Sequence, residues 1–412
     1  MKNRLERLPE LLIPASCLEV LKIAVLYGAD AVYIGGEAFG LRAKAKNFSL
    51  AEMQEGVEFA HAHGVKVYVT ANILAHNDDL SGVRVYFEEL KAVKPDALII
   101  SDPAVFTIAK EVLPEMEIHI STQANNTNYG TFLFWHRLGA KRVVTARELS
   151  LAEIKEIREH IPDDMEIESF VHGAMCISYS GRCLLSSFMA GRDANRGACT
   201  HPCRWKYSVV EESRPGEYMP VYENERGTYI FNSKDLCMIE HIEDLMDAGI
   251  DSLKVEGRMK TALYVATVAR TYRKALDDYA ISPETYAQNM EWYKAEIGKC
   301  TTRKFTTGFF YGKPDSDTQI YDNNTYTQEY VYLGIAGRAD SEGRFRLEQR
   351  NKFTVGEVIE IMKPDGQNIR TEVLGIWDEE GNVQESAPHP KQKLWVKLAD
   401  QPAEYDILRR RA

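Results

Sequence analysis

The sequence predicts a closed (β/α)8 barrel of α/β class, followed by a small antiparallel β-barrel domain. Two observations carry the barrel. Eight short apolar runs alternate with helix-compatible stretches across roughly the first 270 residues, close to the typical barrel size. Near-continuous apolar strands set between helices require a parallel sheet covered on both faces. An open doubly wound sheet is the competing arrangement, but no Gly-x-Gly-x-x-Gly turn follows the first run.

The first strand is Leu11-Leu12-Ile13-Pro14-Ala15, and its helix carries Leu18, Leu21, Ala24 and Val25 with Gly28 just past the end. Ala31-Val32-Tyr33-Ile34-Gly35-Gly36 is the second strand. A helix opens at Ser49 with Glu52 three residues on, the form of a capping box, and sets Met53, Val57 and Ala60 on one face. The third strand, Lys66 to Asn72, leads to a helix ending near Ala92, and the fourth, Ala97 to Ser101, passes through Asp102-Pro103 into another. Glu117 to Ser121, Arg142 to Thr145, Glu166 to Val171 and Ser252 to Glu256 complete the eight. Some eighty residues separate the last two, far more than one helix and two loops require. This large insertion after strand 7, at 172–250, lies where barrel enzymes place their chemistry.

Residues 260–299 read as helix, and from about 326 the pattern changes to short alternating runs with turns at Ser341-Glu342-Gly343, Asp365-Gly366 and Glu380-Gly381. The domain expectation is therefore a TIM-like barrel over 1–280, a helical linker over 281–325 and the β domain over 326–412. Among the 412 residues, 50 Lys+Arg against 61 Asp+Glu give a net charge of −11, which excludes a generally basic nucleic-acid coat but not a local basic patch. Neither an apolar signal core at the N-terminus nor a spanning apolar stretch is present in the sequence, so a cytoplasmic protein without a membrane segment is expected.

Five of the seven cysteines fall inside the insertion, spaced Cys176-x6-Cys183-x15-Cys199-x3-Cys203-x33-Cys237. Only Cys199 and Cys203 are close, a poor match to the paired short spacings of structural zinc. Iron–sulfur clusters need four thiolates and tolerate wider spacing. Buried free cysteines are the alternative. Gly173, Gly181, Gly191 and Gly197 with Ser178, Ser180, Ser186 and Ser187 make a polar loop rather than a core segment, which favours ligands.

The run from Glu168-Ser169-Phe170-Val171-His172-Gly173-Ala174-Met175-Cys176 through Tyr179-Ser180-Gly181-Arg182-Cys183 resembles the collagenase-like peptidases of family U-32. Gly191-Arg192-Asp193 to Cys199, Cys203-Arg204, Asn232-Ser233-Lys234-Asp235-Leu236-Cys237 and Glu256-Gly257-Arg258 continue the resemblance, which covers nearly the whole chain. It implies a cytosolic RNA-modification protein that hydroxylates a tRNA wobble uridine or a ribosomal RNA cytidine; related members take part in oxygen-independent quinone hydroxylation. It also implies a [4Fe–4S] cluster, with Cys176, Cys183, Cys199 and Cys237 as ligands and Cys203 as a fifth candidate, and prephenate as co-substrate in the tRNA branch. The family name makes peptide-bond hydrolysis the alternative. The sequence has no His-Glu-x-x-His and no Gly-x-Ser-x-Gly, and four or five thiols in one loop exceed what a cysteine nucleophile needs.

At the carboxyl ends of the expected strands, Arg147, His172, Glu256 and Arg258 form the candidate catalytic group, with Asn72 and Gln123 as substrate contacts. Arg42, Arg147 and Arg258 are suited to a small dicarboxylate or an RNA phosphate, because guanidinium forks bind such groups bidentately. Arg192, Arg196 and Arg204, with Trp205 beside them, suit a single-stranded anticodon loop whose bases splay and stack. The same arginines could instead neutralise the cysteine thiolates. Should this loop not bind RNA, the run Arg409-Arg410-Arg411 is the next candidate. Oligomeric state is left open.

Overall fold

The computed structural model describes residues 8–37, 39–40, 47–176, 178–180, 182–192, 194, 197–204, 208–210, 218–220, 234–300, 303–313 and 329–412. Its contacts divide the chain into two compact units, one of residues 1–25, 29–260 and 303–325, the other of 26–28, 261–302 and 326–412.

In the first unit, β1 (Glu10–Pro14), β2 (Ala31–Gly35), β3 (Lys66–Ala71), β4 (Ala97–Ile100), β5 (Glu117–Ile120), β6 (Arg142–Val144) and β7 (Glu166–Ala174) pair in sequence order. The short strands β8 (Ser208–Val210) and β9 (Tyr218–Pro220) form a separate hairpin, and β10 (Asp235–Cys237) precedes β11 (Ser252–Val255). β11 pairs in parallel with both β1 and β7 and closes the eight-stranded barrel. Between the strands run α1 (Leu18–Leu26), α2 (Leu50–Ala62), α3 (Leu80–Val93), α4 (Pro103–Val112), α5 (Tyr129–Arg137) and α6 (Leu151–His160). α7 (Leu185–Ala190) and α8 (Ile242–Asp247) lie in the insertion.

Local chemistry accounts for the helix starts. Ser49 Oγ accepts from the Glu52 amide at 3.3 Å, and Glu52 Oε2 accepts from the Ser49 amide at 2.9 Å. Ser150 and Glu153 repeat this box at α6, and Asp102 with Pro103 caps α4. The barrel strands are buried nearly throughout, as a doubly covered sheet requires.

The barrel interior holds an ion layer rather than aliphatic side chains alone. Arg142 Nη1 lies 2.6 Å from Glu10 and 3.0 Å from Glu168, its Nη2 lies 2.7 Å from Glu166, and Lys254 Nζ lies 2.7 Å from Glu168. Tyr68 donates to Glu10 at 2.7 Å. The Arg142–Glu168 and Lys254–Glu168 bonds join neighbouring strands, while those from Glu10 to Arg142 and Tyr68 reach across the barrel from β1 to β6 and β3. Burial pushes the Glu168 carboxyl up, but Lys254 and Arg142 outweigh it and hold the group at about 2.

Two further strands, β10 in the insertion and one at residues 305–306, extend the barrel sheet and are not disclosed by the apolar periodicity. β10 pairs antiparallel with the end of β7, placing Cys237 opposite His172, and β12 (Phe305–Thr306) pairs with β10.

In the second unit the residues 260–299 read as helix form three, α9 (Ala262–Ile281), α10 (Pro283–Gln288) and α11 (Met290–Ile297). Ser282 is extended, and its side chain caps α10 with Pro283 in the first turn. The strands are β13 (Tyr330–Ile335), β14 (Phe345–Glu348), β15 (Val358–Met362), β16 (Asn368–Trp377), β17 (Val383–Gln384), β18 (Lys393–Leu398) and β19 (Ile407–Arg411). They form one antiparallel sheet in the order β13-β19-β15-β16-β18-β14, with β17 on β16. Its core gathers Leu333, Phe345, Ile361, Val373, Val396 and Leu408. The sheet ends meet where the Arg350 amide donates to Leu333 at 2.9 Å and the Gly337 amide to Arg346 at 2.8 Å.

The C-terminal arginines are largely consumed by structure, against the expectation of a free basic run. Arg409 is fully buried, with Nη2 2.7 Å from Glu296 and 2.6 Å from Glu360, and Arg410 pairs with Glu357 at 3.1 Å.

Candidate functional site

Three groups of polar side chains stand at the carboxyl ends of the barrel strands. The first surrounds Arg147, which follows β6. Its Nη1 donates to the Ala174 carbonyl at 2.7 Å, its Nη2 to Glu256 at 3.1 Å, and its guanidinium lies 4.0 Å from the Phe170 ring centroid. The arginine therefore bridges the ends of β6, β7 and β11 rather than pairing with its neighbour Glu148. Nε of Arg147 is buried with no hydrogen-bond partner among the described residues, leaving a donor for a polar ligand. Glu148 is half-buried, and burial pushes its carboxyl above the usual range.

His172 lies on β7, two residues before the Ala174 carbonyl that Arg147 holds. The Glu256 amide donates to its carbonyl at 2.8 Å, and its ring sits 5.6 Å from Phe305 on β12. Burial, reinforced by Lys260, pulls its imidazole down to about 3, so it is neutral near pH 7. Gly173 follows at φ +111°, where a side-chain Cβ would stand 2.6 Å from the Glu256 carbonyl oxygen. Glycine is needed there for both conformation and space.

The second group centres on buried Arg258. Its Nη1 donates to Thr70 at 3.0 Å and its Nη2 to Asn47 at 3.2 Å, while the guanidinium packs over Gly35. It ties the β11 end to β3 and to the residue leading into α2. The third group joins β3 to β5: Asn72 donates to Ser121 at 3.2 Å, and Ser101 donates to the Asn72 carbonyl at 2.9 Å. Gln123 sits in the short turn after β5, its Oε1 buried with no partner among the described residues.

One residue the motif search passed over connects this rim to the cysteine segment. Asn125, in a left-handed conformation at φ 55°, donates to the Ser180 carbonyl at 3.2 Å. An Asn tolerating positive φ at a turn end is the only signal its sequence carries.

All five loop cysteines are free thiols; Cys176 is exposed, and Cys183, Cys199, Cys203 and Cys237 are half-buried. The Thr200 amide donates to Ser186 Oγ at 3.1 Å, stitching the segment after Cys183 to the one at Cys199. The His201 amide donates to Cys199 Sγ at 3.4 Å. Among the described residues, no three His, Cys, Asp or Glu side chains converge to hold a metal ion. The thiol set suits a cluster in number and donor chemistry. Arg192 is half-buried with its amide donating to Ser186 at 3.3 Å. Arg42, Arg196, Trp205 and the Arg204 side chain lie outside the described residues. Among the described residues, no helix is long and apolar enough to cross a membrane.

Residues 16–320 match Peptidase family U32, and residues 328–409 match the Peptidase family U32 C-terminal domain. The chain is 43% identical over 398 residues to a Bacillus subtilis protein named tRNA hydroxylation protein P1, covering 96% of this chain and 93% of that one. It is 39% identical to the Escherichia coli tRNA hydroxylation protein P, covering 98% and 96% respectively. An E. coli 23S rRNA 5-hydroxycytidine synthase is 32% identical over 97% of this chain and 58% of its own length. The barrel with its cysteine-bearing insertion and the trailing antiparallel sheet thus belong to one continuous likeness, and the chain is a member of peptidase family U32, on the branch of the tRNA hydroxylation proteins.

Proposed function

We propose that this chain hydroxylates RNA, forming 5-hydroxyuridine at the tRNA wobble position. The observation that carries the reading is the likeness to two proteins named for tRNA hydroxylation, which runs through barrel, cysteine insertion and β domain alike. The rim geometry supports it. Arg147 keeps an unfilled Nε donor beside the carboxyl ends of β6, β7 and β11, a place for the carboxylate of a small acid such as prephenate. Glu256, bonded to Arg147, and the half-buried Glu148 carboxyl, which burial shifts toward its protonated form, are the carboxyl groups offered for proton exchange there.

Cys176, Cys183, Cys199 and Cys237 would hold a [4Fe–4S] cluster, with Cys203 as the alternate ligand; when bound, the cluster supplies electron transfer. Cys237 stands opposite His172 in the β7–β10 ladder, so as a ligand it would bring the cluster to the end of β7. The cationic loop at Arg192, Arg196 and Arg204, with Trp205, is the surface offered to the anticodon loop, and the protein acts in the cytoplasm.

Peptide hydrolysis is the weaker reading. His172, the histidine facing Cys237, is too weakly basic at about 3 to draw a proton from a thiol near neutral pH. Nucleoside mass spectrometry of bulk tRNA from a strain lacking the gene tests the proposal. Loss of the hydroxylated uridine is the expected result; intact tRNA modification with altered peptide turnover favours the peptidase.

A further inference from the structure

The C-terminal sheet carries a second cationic and aromatic surface, remote in sequence from the cysteine loop. The register of three strands builds it. Trp395 on β18 lies opposite Arg346 on β14 and opposite Trp377 on β16, so the three side chains form one row across the sheet. The alternate residues Phe345, Ile376 and Val396 face the domain core, which turns this row outward. Lys393 and Lys397 flank Trp395 two residues either way on the same strand face, and both are exposed.

The cations are layered on the rings. Arg346 lies 5.0 Å from the Trp395 centroid, and Arg344 reaches both rings, at 5.6 Å from Trp377 and 6.0 Å from Trp395. Arg344 is held in place by Asp340 at 2.8 Å. Arg346, Lys393 and Lys397 have no ion pair among the described residues. Of the nearby carboxylates, Asp340 and Glu342 pair with Arg344, Glu348 pairs with Arg350 at 3.1 Å, and Asp378 accepts from the Asn382 amide at 2.7 Å. Trp377 lies over Gly375, where any Cβ would stand 2.4 Å from the ring. The glycine lets the indole lie flat on the strand.

Two half-buried indoles, two guanidinium planes and two exposed ammonium groups on one sheet face match a single-stranded nucleic acid. Bases stack on aromatic rings and arginine planes, and cations meet the phosphates. An acidic protein that acts on RNA must concentrate its attraction for phosphate in such patches. We propose that the Trp377–Trp395 face, with Arg346, Lys393 and Lys397, is an RNA-binding site that holds an unpaired stretch of the tRNA substrate. This rests on the RNA-hydroxylation reading above and adds a contact surface outside the barrel.

The test uses the full-length chain and unmodified tRNA made by transcription, with affinity measured by fluorescence anisotropy at several salt concentrations. Trp395→Ala should weaken binding about 5- to 150-fold, equivalent to about 1–3 kcal/mol for one stacked base, and Trp395→Phe should recover most of it. The triple substitution Arg346→Ser, Lys393→Ser, Lys397→Ser alters only exposed side chains and spares the fold. It should flatten the log–log salt slope by about two, near 0.7 per lost phosphate contact. Wild-type affinity and slope in both the Trp395→Ala and triple variants would overturn the site while leaving the hydroxylation reading intact. A wild-type chain that binds no tRNA, from a gene whose loss leaves tRNA nucleosides unchanged, would overturn both. If the face instead docks a second copy of the chain, the triple variant would change the elution volume on gel filtration with tRNA affinity untouched, and that also overturns the proposal.

Discussion

Replacing Arg147 with Ala should loosen the β6–β7–β11 rim more than any other single change at the barrel mouth. The side chain donates to Ala174 at 2.7 Å and to Glu256 at 3.1 Å, and lies 4.0 Å from the Phe170 centroid. A hydrogen bond to a charged group contributes about 1.5–3 kcal/mol, and a desolvated cation–π contact about 2. Removing one partner of a buried pair costs about 3–5 kcal/mol, a figure that already contains those contacts. Glu256 keeps 16% of its side chain exposed, so water recovers part of the loss and the lower end, about 3 kcal/mol, is expected. Arg147→Lys keeps the charge but reaches only one of two acceptors, and should cost about 1.5–3 kcal/mol. Peptide-level hydrogen exchange over 166–174 and 252–258 reads local opening directly. A loss of about 3 kcal/mol corresponds to roughly 150-fold faster exchange. Protection within threefold of wild type in Arg147→Ala would refute the view that this arginine ties the rim.

Acid should weaken the barrel through two groups acting in the same direction. Glu168, held at about 2, contributes stability that is complete above the ordinary carboxylate range and is lost as pH falls through about 2. His172 stays neutral to about 3, whereas an unfolded histidine protonates below about 6.5. In that window stability falls by about 1.4 kcal/mol per pH unit, so His172→Gln should flatten the decline in melting temperature between pH 7 and 5. Gly173→Ala should lower the melting temperature more than Gly64→Ala: both positions have positive φ, but only Gly173 faces a carbonyl at 2.6 Å. Anaerobically purified protein should carry about four irons per chain; Cys176→Ala, Cys183→Ala, Cys199→Ala and Cys237→Ala should each lose them, and Cys300→Ala should not. Stoichiometric zinc without iron would contradict the cluster.

The barrel was legible because its strands are apolar on both faces and its helices can announce their starts, as at Ser49. Strands of two or three residues, such as β10 and β12, carry no period; β10 takes its place from β7, and β12 from β10. The rim residues Arg147, His172 and Glu256 could be named from strand ends alone, but not the bond from Arg147 to Glu256, which spans 109 residues. Arg258 reads as an anion grip in the sequence and is spent on Thr70 and Asn47 in the fold. The run Arg409-Arg410-Arg411 looks basic and exposed on composition, yet β19 is a central strand of the sheet and takes Arg409 inward to Glu296. The ion layer around Arg142 was hidden because its partners lie from 24 residues (Glu166) to 132 residues (Glu10) away, too far to give a local pattern.

The central claim, hydroxylation of RNA, is tested most directly by complementation. In a strain lacking the gene, nucleoside mass spectrometry of tRNA should find the hydroxylated uridine absent. Wild-type chain should restore it, and Cys199→Ala chain, expressed at equal level, should not. Hydroxylated uridine at wild-type abundance in the deletion strain, or full restoration by the Cys199→Ala variant, would contradict the account.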